Sequence, residues 1–378
     1  MKILMLNSEY PPLGGGQGNA NKYIYTKLQK YENLEIDIIT ASVNAKKIET
    51  SNLGDIYYLN IGKKDKNLHF QSIKDLITYS IKSLFFSFKL SKKYDVIVAW
   101  GGVPPGFLAY AIHLFKKTPY IILLRGTDVP FFEDRWYWLD KLILSWLSPI
   151  TWKSATNIYA NSKGLKQLAQ KFLPNKEIGV IYNGVDTQYF YPIIQSKSLT
   201  KKIIILSVGR LVERKNYAML LKAVAKIPEN IEIEIQIAGE GPERENLLQL
   251  ANQLKLNLKL YGEKFKTELV EIYQQADIFV LPSKNEGMSN SVLEAMACGL
   301  PCIVSDVGGS SEMVENNKNG FVLQKNDEEN LRNKIEYLLE NLEQLELMGN
   351  NSRKKAESLS WDVVTNNLFK IFTQSLAK

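Results

Sequence analysis

Short apolar runs alternate with helical patterns along this chain and then begin again, and that repeat constrains its fold more than anything else in the sequence. KILML at residues 2–6 leads into the glycine-rich PPLGGGQGNAN and the helical NANKYIYTKLQK, and IDIITAS, DVIVAW and YIILL follow as further strands. After IYNGVDTQYFYP the series restarts with KIIILSVG, and strands and helices alternate through IEIEIQIAG, LNLKLYG, DIFVLP and CIVSD to the short strand FVLQ. Strands apolar throughout their length are covered on both faces, and crossover helices between them make a largely parallel sheet. Two such series predict an α/β protein of two doubly wound, Rossmann-like domains, with ligands in a central cleft at the carboxyl ends of the strands. The length of 378 residues suits two cores. The expected divisions are 1–193, 200–360 and a C-terminal helix, 361–378, that crosses back to the first domain.

Composition narrows the class. A hydrophobic fraction of 45% with 23% charged residues describes a folded chain, not a disordered one. The two cysteines, Cys298 and Cys302, make no disulfide framework and lack the companions of a zinc or iron–sulfur set, so buried thiols, a cytoplasmic setting and no bound metal are expected. The start MKILMLNSEY lacks the pattern of a signal peptide. Val96–Phe115 has the length of a membrane span, but WGGVPPG divides it into strand, loop and helix. The net charge of +7 is uneven, with eight lysines against three aspartates between Lys63 and Asp95. Within that region Lys74, Lys82 and Lys89 recur among large apolar residues. The segment reads either as a helix packed on the core with a wet lysine face or as one that also touches anionic lipid. No recognition motif supports a nucleic-acid surface.

Four loops carry candidate chemistry. Gly14, Gly15, Gly16 and Gly18 permit close backbone approach before a helix whose amino end can meet a phosphate or sugar oxygen; the spacing is neither GxGxxG nor a P-loop. In SVGRLVERKN, Arg210 and Lys215 follow the first strand of the second domain, where two cations can hold a diphosphate. In AGEGPERE, Gly239 and Gly241 suit either a ligand approach or a structural turn. PSKNEGMSNSVLE sets Glu286 in a loop and Glu294 in the next helix, with Ser289 or Asn290 as cap and the amides of Gly287, Met288 and Ser289 near the helix start. The two carboxylates could be an acid/base pair, a metal site, part of a sugar-binding cradle or solvated charge.

Taken together, the E-x7-E spacing of Glu286 and Glu294, the amino-terminal GGG, GRL…K, AGEGPE, ADIFVLPS, EAMACGLPCIVSDVGG and YNGVD resemble, in type and order, the retaining glycosyltransferases of the GT-B fold, family four (group 1). The resemblance spans nearly the whole chain. It implies that Glu286 contacts donor-sugar hydroxyls and Glu294 the nucleotide ribose. It also implies that Arg210 and Lys215 hold the donor diphosphate beside Gly287, Met288 and Ser289. The loop Gly14, Gly15 and Gly16 would close over the donor, and backbone from Tyr261 to Lys264, including Gly262 and Glu263, would meet the base. Attack on the leaving-group side, retention at the anomeric carbon and independence of metal and cofactor follow from the same resemblance. One departure stands out. The family's HG-S/T-D segment reads RGTD here, and Arg125 cannot relay a proton as histidine would, but its fork can bind a hydroxyl, carboxylate or phosphate. Asp128 either orients Arg125, meets the acceptor or caps a turn. His113 reads as a helix-packing residue and His69 as surface or loop.

On the acceptor side, Trp136, Trp138, Trp146 and Trp152 crowd one segment, as a core seam or as a surface for lipid. The expected activity is transfer of a hexose-type sugar from a UDP- or GDP-linked donor to a glycan or polyprenol-linked acceptor. The setting would be cell-surface polysaccharide assembly, such as lipopolysaccharide or O-antigen, with peripheral contact to the inner face of the cell membrane. The alternatives are a sugar-nucleotide epimerase or hydrolase of the same architecture and a non-catalytic glycan- or nucleic-acid-binding protein.

Overall fold

The computed structural model describes residues 1–44, 47–63, 68, 71–132, 137–193, 202–228 and 231–376. They form two compact units, Met1–Asn183 with Trp361–Lys378, and Gly184–Ser360.

The first unit is built on an eight-stranded sheet: β1 (Lys2–Asn7), β2 (Glu35–Ser42), β3 (Lys47–Ser51), β4 (Gly54–Asn60), β5 (Val96–Trp100), β6 (Tyr120–Leu124), β7 (Asn157–Ala160) and β8 (Gly179–Val180). Their order is β3-β4-β2-β1-β5-β6-β7-β8. Every pair is parallel except β3 with β4. The central strands β5 and β6 are buried along their whole length, as their unbroken apolar sequences require. Neither β3 nor β4 is among the strands read in the sequence: β3 lies almost wholly in solvent and carries no apolar run, whereas β4 buries Ile56, Tyr57, Tyr58 and Leu59, a run that reading passes over. Trp361, Val364, Leu368 and Phe372 of the last helix, Trp361–Leu376, enter the core of this unit beside Ile24 and Leu28 of helix Gly16–Leu28. Tyr23 stacks on Trp361, Tyr31 on Phe369, and Lys27 pairs with Asp362 at 2.9 Å.

The second unit has six parallel strands, β9 (Lys202–Val208), β10 (Glu232–Ala238), β11 (Asn257–Gly262), β12 (Ile278–Leu281), β13 (Cys302–Ser305) and β14 (Gly320–Leu323). They run in the order β11-β10-β9-β12-β13-β14. The strand order reverses between β9 and β12, the switch point at which loops from neighbouring strands converge. Residues 184–193 belong with this unit rather than with the first. Phe190 meets Tyr273 edge-on, and Arg353 donates to the carbonyls of Thr187 and Phe190. Both cysteines are buried free thiols, and burial pushes both up in pKa.

Candidate active site

Pairing of β9 with β12 brings together the loops that follow them, although they are far apart in the chain. Lys284 N–H donates to the Arg214 carbonyl at 2.7 Å, and the Lys284 ammonium meets Glu213 at 2.8 Å. This contact places Lys215 Nζ 2.6 Å from Glu286 Oε1, with both side chains buried. Ser283 Oγ donates to the same carboxylate at 2.9 Å, and Arg214 stands 3.7 Å away while donating to the Asn285 carbonyl. Burial alone would raise the Glu286 pKa, but Lys215, Arg214 and the hydrogen bonds from Lys215 and Ser283 outweigh it and hold the carboxyl below its ordinary value. Glu286 is therefore an ionised acceptor of hydrogen bonds, unsuited to donate a proton near neutral pH. Gly308 supports the loop from the next strand. Its φ of +56° is left-handed, a Cβ there would fall 1.6 Å from the Glu286 carbonyl oxygen, and Gly309 N–H donates to the Gly287 carbonyl.

Glu294 lies in helix Asn290–Ala297, whose N-cap Ser289 makes no side-chain capping hydrogen bond; its hydroxyl meets Ser291 instead. Tyr273 Oη donates to Glu294 Oε2 at 2.9 Å. Here burial dominates and pushes the carboxyl up to about 7, against the lowering effects of Tyr273 and Lys266. The two glutamates of one motif thus occupy opposite electrostatic surroundings.

The remaining positions expected in the second unit divide. Arg210 is exposed on the loop that leads to Lys215, and the cations beside Glu286 are Lys215 and Arg214. Lys215 Nζ and Tyr217 Oη lie over Gly209, 3.3 Å and 3.0 Å from where a Cβ would stand. Gly239 is required by the backbone itself: at φ +152° a Cβ would come within 2.0 Å of the Gly209 carbonyl. Gly239 N–H donates to the Gly262 carbonyl, joining the β10 and β11 loops, and Glu263 is exposed beside it. Ser283, Arg214 and Tyr273 escape the sequence reading, since no local spacing shows that they meet the two glutamates.

In the first unit Gly14 is held at φ +94° and donates to the Leu68 carbonyl, while Gly15 caps helix Gly16–Leu28 and would meet nothing within 4 Å if it bore a Cβ. Gln17 ties this loop to the carbonyl of Trp100 at the end of β5. The Arg125 guanidinium stacks 3.9 Å from the Trp100 ring and donates from Nη1 to Asn183 Oδ1. Burial lowers the Arg125 pKa to about 10. Of the three roles open to Asp128, turn capping is the one seen: its carboxylate accepts the N–H groups of Gly102, Arg125 and Gly126. His113 Nδ1 meets the Thr118 carbonyl at a helix end, whereas His69 and Trp136 lie outside the described residues. The tryptophan segment does not act as one group: Trp152 is fully buried, Trp138 is 68% and Trp146 73% exposed.

Two doubly wound units, the second with an ionised carboxylate, a buried ammonium and a helix start at its switch point, define a two-unit α/β protein. Residues 14–189 match the model of glycosyltransferase family 4, and residues 193–355 that of the glycosyl transferases group 1. A galactosyltransferase of Escherichia coli, UDP-Gal:alpha-D-GlcNAc-diphosphoundecaprenol alpha-1,3-galactosyltransferase, is 34% identical over 303 residues, 75% of each chain. A Campylobacter jejuni N-acetylgalactosaminyltransferase, whose name also specifies a diphospho-undecaprenol acceptor, is 25% identical over 67% of this chain and 70% of its own. Among solved structures, sucrose-phosphate synthase of Thermosynechococcus elongatus superposes with a TM-score of 0.84 at 20% identity, covering 100% of this chain and 99% of that one. Anabaena HepE, solved with UDP and glucose, gives 0.74 at 17% identity over 99% of both. The chain belongs to the family 4 (group 1) glycosyltransferases, and its fold is GT-B.

Proposed function

We propose that this protein transfers a hexose-type sugar, with retention of anomeric configuration, from a UDP- or GDP-linked donor to a polyprenol-linked glycan during cell-surface polysaccharide assembly. The observation that carries the reading is the buried Lys215–Glu286 pair at the β9/β12 switch point. An ionised Glu286, fixed by Lys215 and Ser283, presents its other lone pairs to sugar hydroxyls, while the Lys215 ammonium and the start of helix Asn290–Ala297 favour the donor diphosphate. The acceptor oxygen forms its bond to the anomeric carbon on the face from which the phosphate leaves. The anomeric carbon–oxygen bond to phosphate breaks, and the acceptor proton passes to a phosphate oxygen. Lys215 and Arg210 offset the charge that develops on that leaving group, so the reaction needs neither metal nor cofactor. Glu294, with Tyr273 behind it, receives the ribose, and the backbone at Gly262 and Glu263 the base. Arg125 belongs to the acceptor-side unit, where its stacked guanidinium replaces the proton relay of a histidine with a fixed hydrogen-bond fork.

The acceptor class is supported by the two bacterial relatives, whose names specify diphospho-undecaprenol-linked sugars. An acceptor of that kind is presented at a membrane, and the protein acts there as a peripheral enzyme on the inner face. UDP-, GDP- and ADP-linked sugars are to be screened by thermal shift and then for turnover, with and without a polyprenol-diphosphate-linked acceptor and with chelator present. Acceptor-dependent, chelator-insensitive transfer with retention is the expected result. Donor turnover without acceptor would replace this reading with an epimerase or hydrolase, and binding without turnover would replace it with a binding protein.

A further inference from the structure

Helix Ile73–Lys89 sets Leu84 and Phe86 on the core of the first unit, yet leaves a second apolar stripe outside. Its buried positions are Asp75, Tyr79, Ser83 and Ser87, one every fourth residue, and three of the four are closed by polar bonds. Asp75 closes a capping box with Ser72 and pairs with buried Lys63, Tyr79 donates to the Ile39 carbonyl, and Ser87 bonds the Leu84 carbonyl. The opposite stripe, Ile73, Ile77, Ile81, Phe85 and Phe88, faces outward, with Phe85 66% exposed. A helix on a water-facing surface carries the reverse pattern. Sequence periodicity could not reveal this, since the same repeat serves either orientation.

The exposed apolar surface continues onto two neighbouring helices. Phe88 packs edge-to-face on Phe115 at the end of helix Phe107–Lys116, which itself packs on helix Ser145–Ser154. There Ser148, Thr151 and Trp152 are buried while Trp146, Leu147 and Ile150 face out, following exposed Trp138, Leu142 and Ile143. Fifteen of the twenty-two large apolar side chains exposed among the described residues fall between Ile73 and Ile150, so the apolar exposure is a property of this region and not of the whole surface. On these helices or at their caps stand seven exposed lysines: 74, 82, 89, 116, 117, 141 and 153. The only acids on these helical segments, Asp75 and Asp140, are buried, and Asp140 accepts the Phe131 N–H.

We propose that these helices form an interfacial anchor that seats Phe85, Trp138 and Trp146 among the acyl chains of an anionic leaflet while the lysines meet its headgroups. The inference rests on the membrane-linked acceptor reading, and extends it by naming the anchor and a binding mode that needs no acceptor. Charge favours lipid over a second copy of the chain: two such faces brought together would oppose seven lysines with seven lysines, with no exposed carboxylate among the described residues of these helices. Aromatic rings with lysines at their borders suit the boundary between hydrocarbon and headgroup.

The test uses the full chain and vesicles of phosphatidylcholine with or without phosphatidylglycerol, free of any polyprenol. Co-sedimentation should rise about tenfold or more when the anionic lipid is included. Brominated acyl chains should quench tryptophan emission, and this quenching should fall in a Trp138→Ser, Trp146→Ser double variant. Lys74→Gln, Lys82→Gln, Lys89→Gln together should remove most of the anionic preference, and Phe85→Ser should weaken binding to both compositions. These sites are exposed, so unchanged circular dichroism and unchanged transfer to a detergent-solubilised acceptor are expected in each variant. Absence of binding to both compositions would overturn the anchor, as would binding indifferent to all three changes. A dimer that Trp146→Ser dissociates would overturn it in favour of self-association. Loss of transfer in solution with vesicle binding intact would count against the activity and not the anchor.

Discussion

Glu286 and Glu294 are the same residue type in one short motif, yet the structure treats them as opposites. Glu286 sits in a loop between two cations, Lys215 and Arg214, and is held below its ordinary pKa. Glu294 sits on a helix against a neutral phenol and is pushed up to about 7. The difference shows two carboxylates with separate partners, Lys215 and Ser283 for one and Tyr273 for the other, rather than a pair sharing a proton. Under the proposed function the motif spans one ligand, with Glu286 at the reacting end and Glu294 at the ribose.

The largest expected effect comes from breaking the charged end. Glu286→Gln and Lys215→Ala should each lower kcat/KM by on the order of 100-fold or more, measured with a fixed acceptor. Near-normal values in both would remove the basis for the assignment. Both changes should also destabilise the fold, because Lys215→Ala leaves a buried carboxylate with Ser283 and the more distant Arg214, and Glu286→Gln leaves a buried ammonium without its carboxylate.

The next effect is one of pH. Glu294 is raised from its ordinary value of 4.5 to about 7, so its stabilising contribution is complete below 4.5 and is lost as pH rises through about 7. Its size is on the order of 3 kcal/mol. Glu286 is lowered, so its contribution is present above 4.5 and is lost as pH falls below that value. Urea unfolding between pH 4.5 and 8 should show a falling slope in the wild type that Glu294→Gln flattens. A slope unchanged in that variant would sink the contrast.

The smallest effect is Tyr273→Phe, which removes the single hydrogen bond to Glu294. It should cost about 1 kcal/mol of stability and raise the donor KM several-fold with little change in kcat. An equal loss in kcat would place Tyr273 at the reacting end and erase the distinction between the two pockets.

Much of this was legible from the sequence, and for a physical reason. Parallel strands buried on both faces must be apolar without interruption, so β1, β5, β6, β9 and β12 announce themselves. The edge strand β3 needs no such run and stayed hidden. Lys215 and Glu286 were each visible as loop residues after a strand, but their contact depends on β9 lying beside β12, which no local pattern encodes. Arg214, Ser283 and Tyr273 were silent for the same reason. For Asp128 the turn role was one of three open readings: the amides of Arg125 and Gly126 are local to it, but the third, from Gly102, reaches it only once β5 and β6 are side by side.

The last helix carries a consequence for how the chain is divided. Val185 pairs with Ser360, so the segments by which the chain enters and leaves the second unit run alongside each other. The first unit is completed only by Trp361–Leu376, whose Trp361, Leu368 and Phe372 fill its core. Topologically, then, the second unit is a cassette inserted into a discontinuous host. During synthesis the host remains unfinished until the whole cassette and the final residues have emerged, so truncation near the carboxyl terminus damages the domain made first, not the one made last.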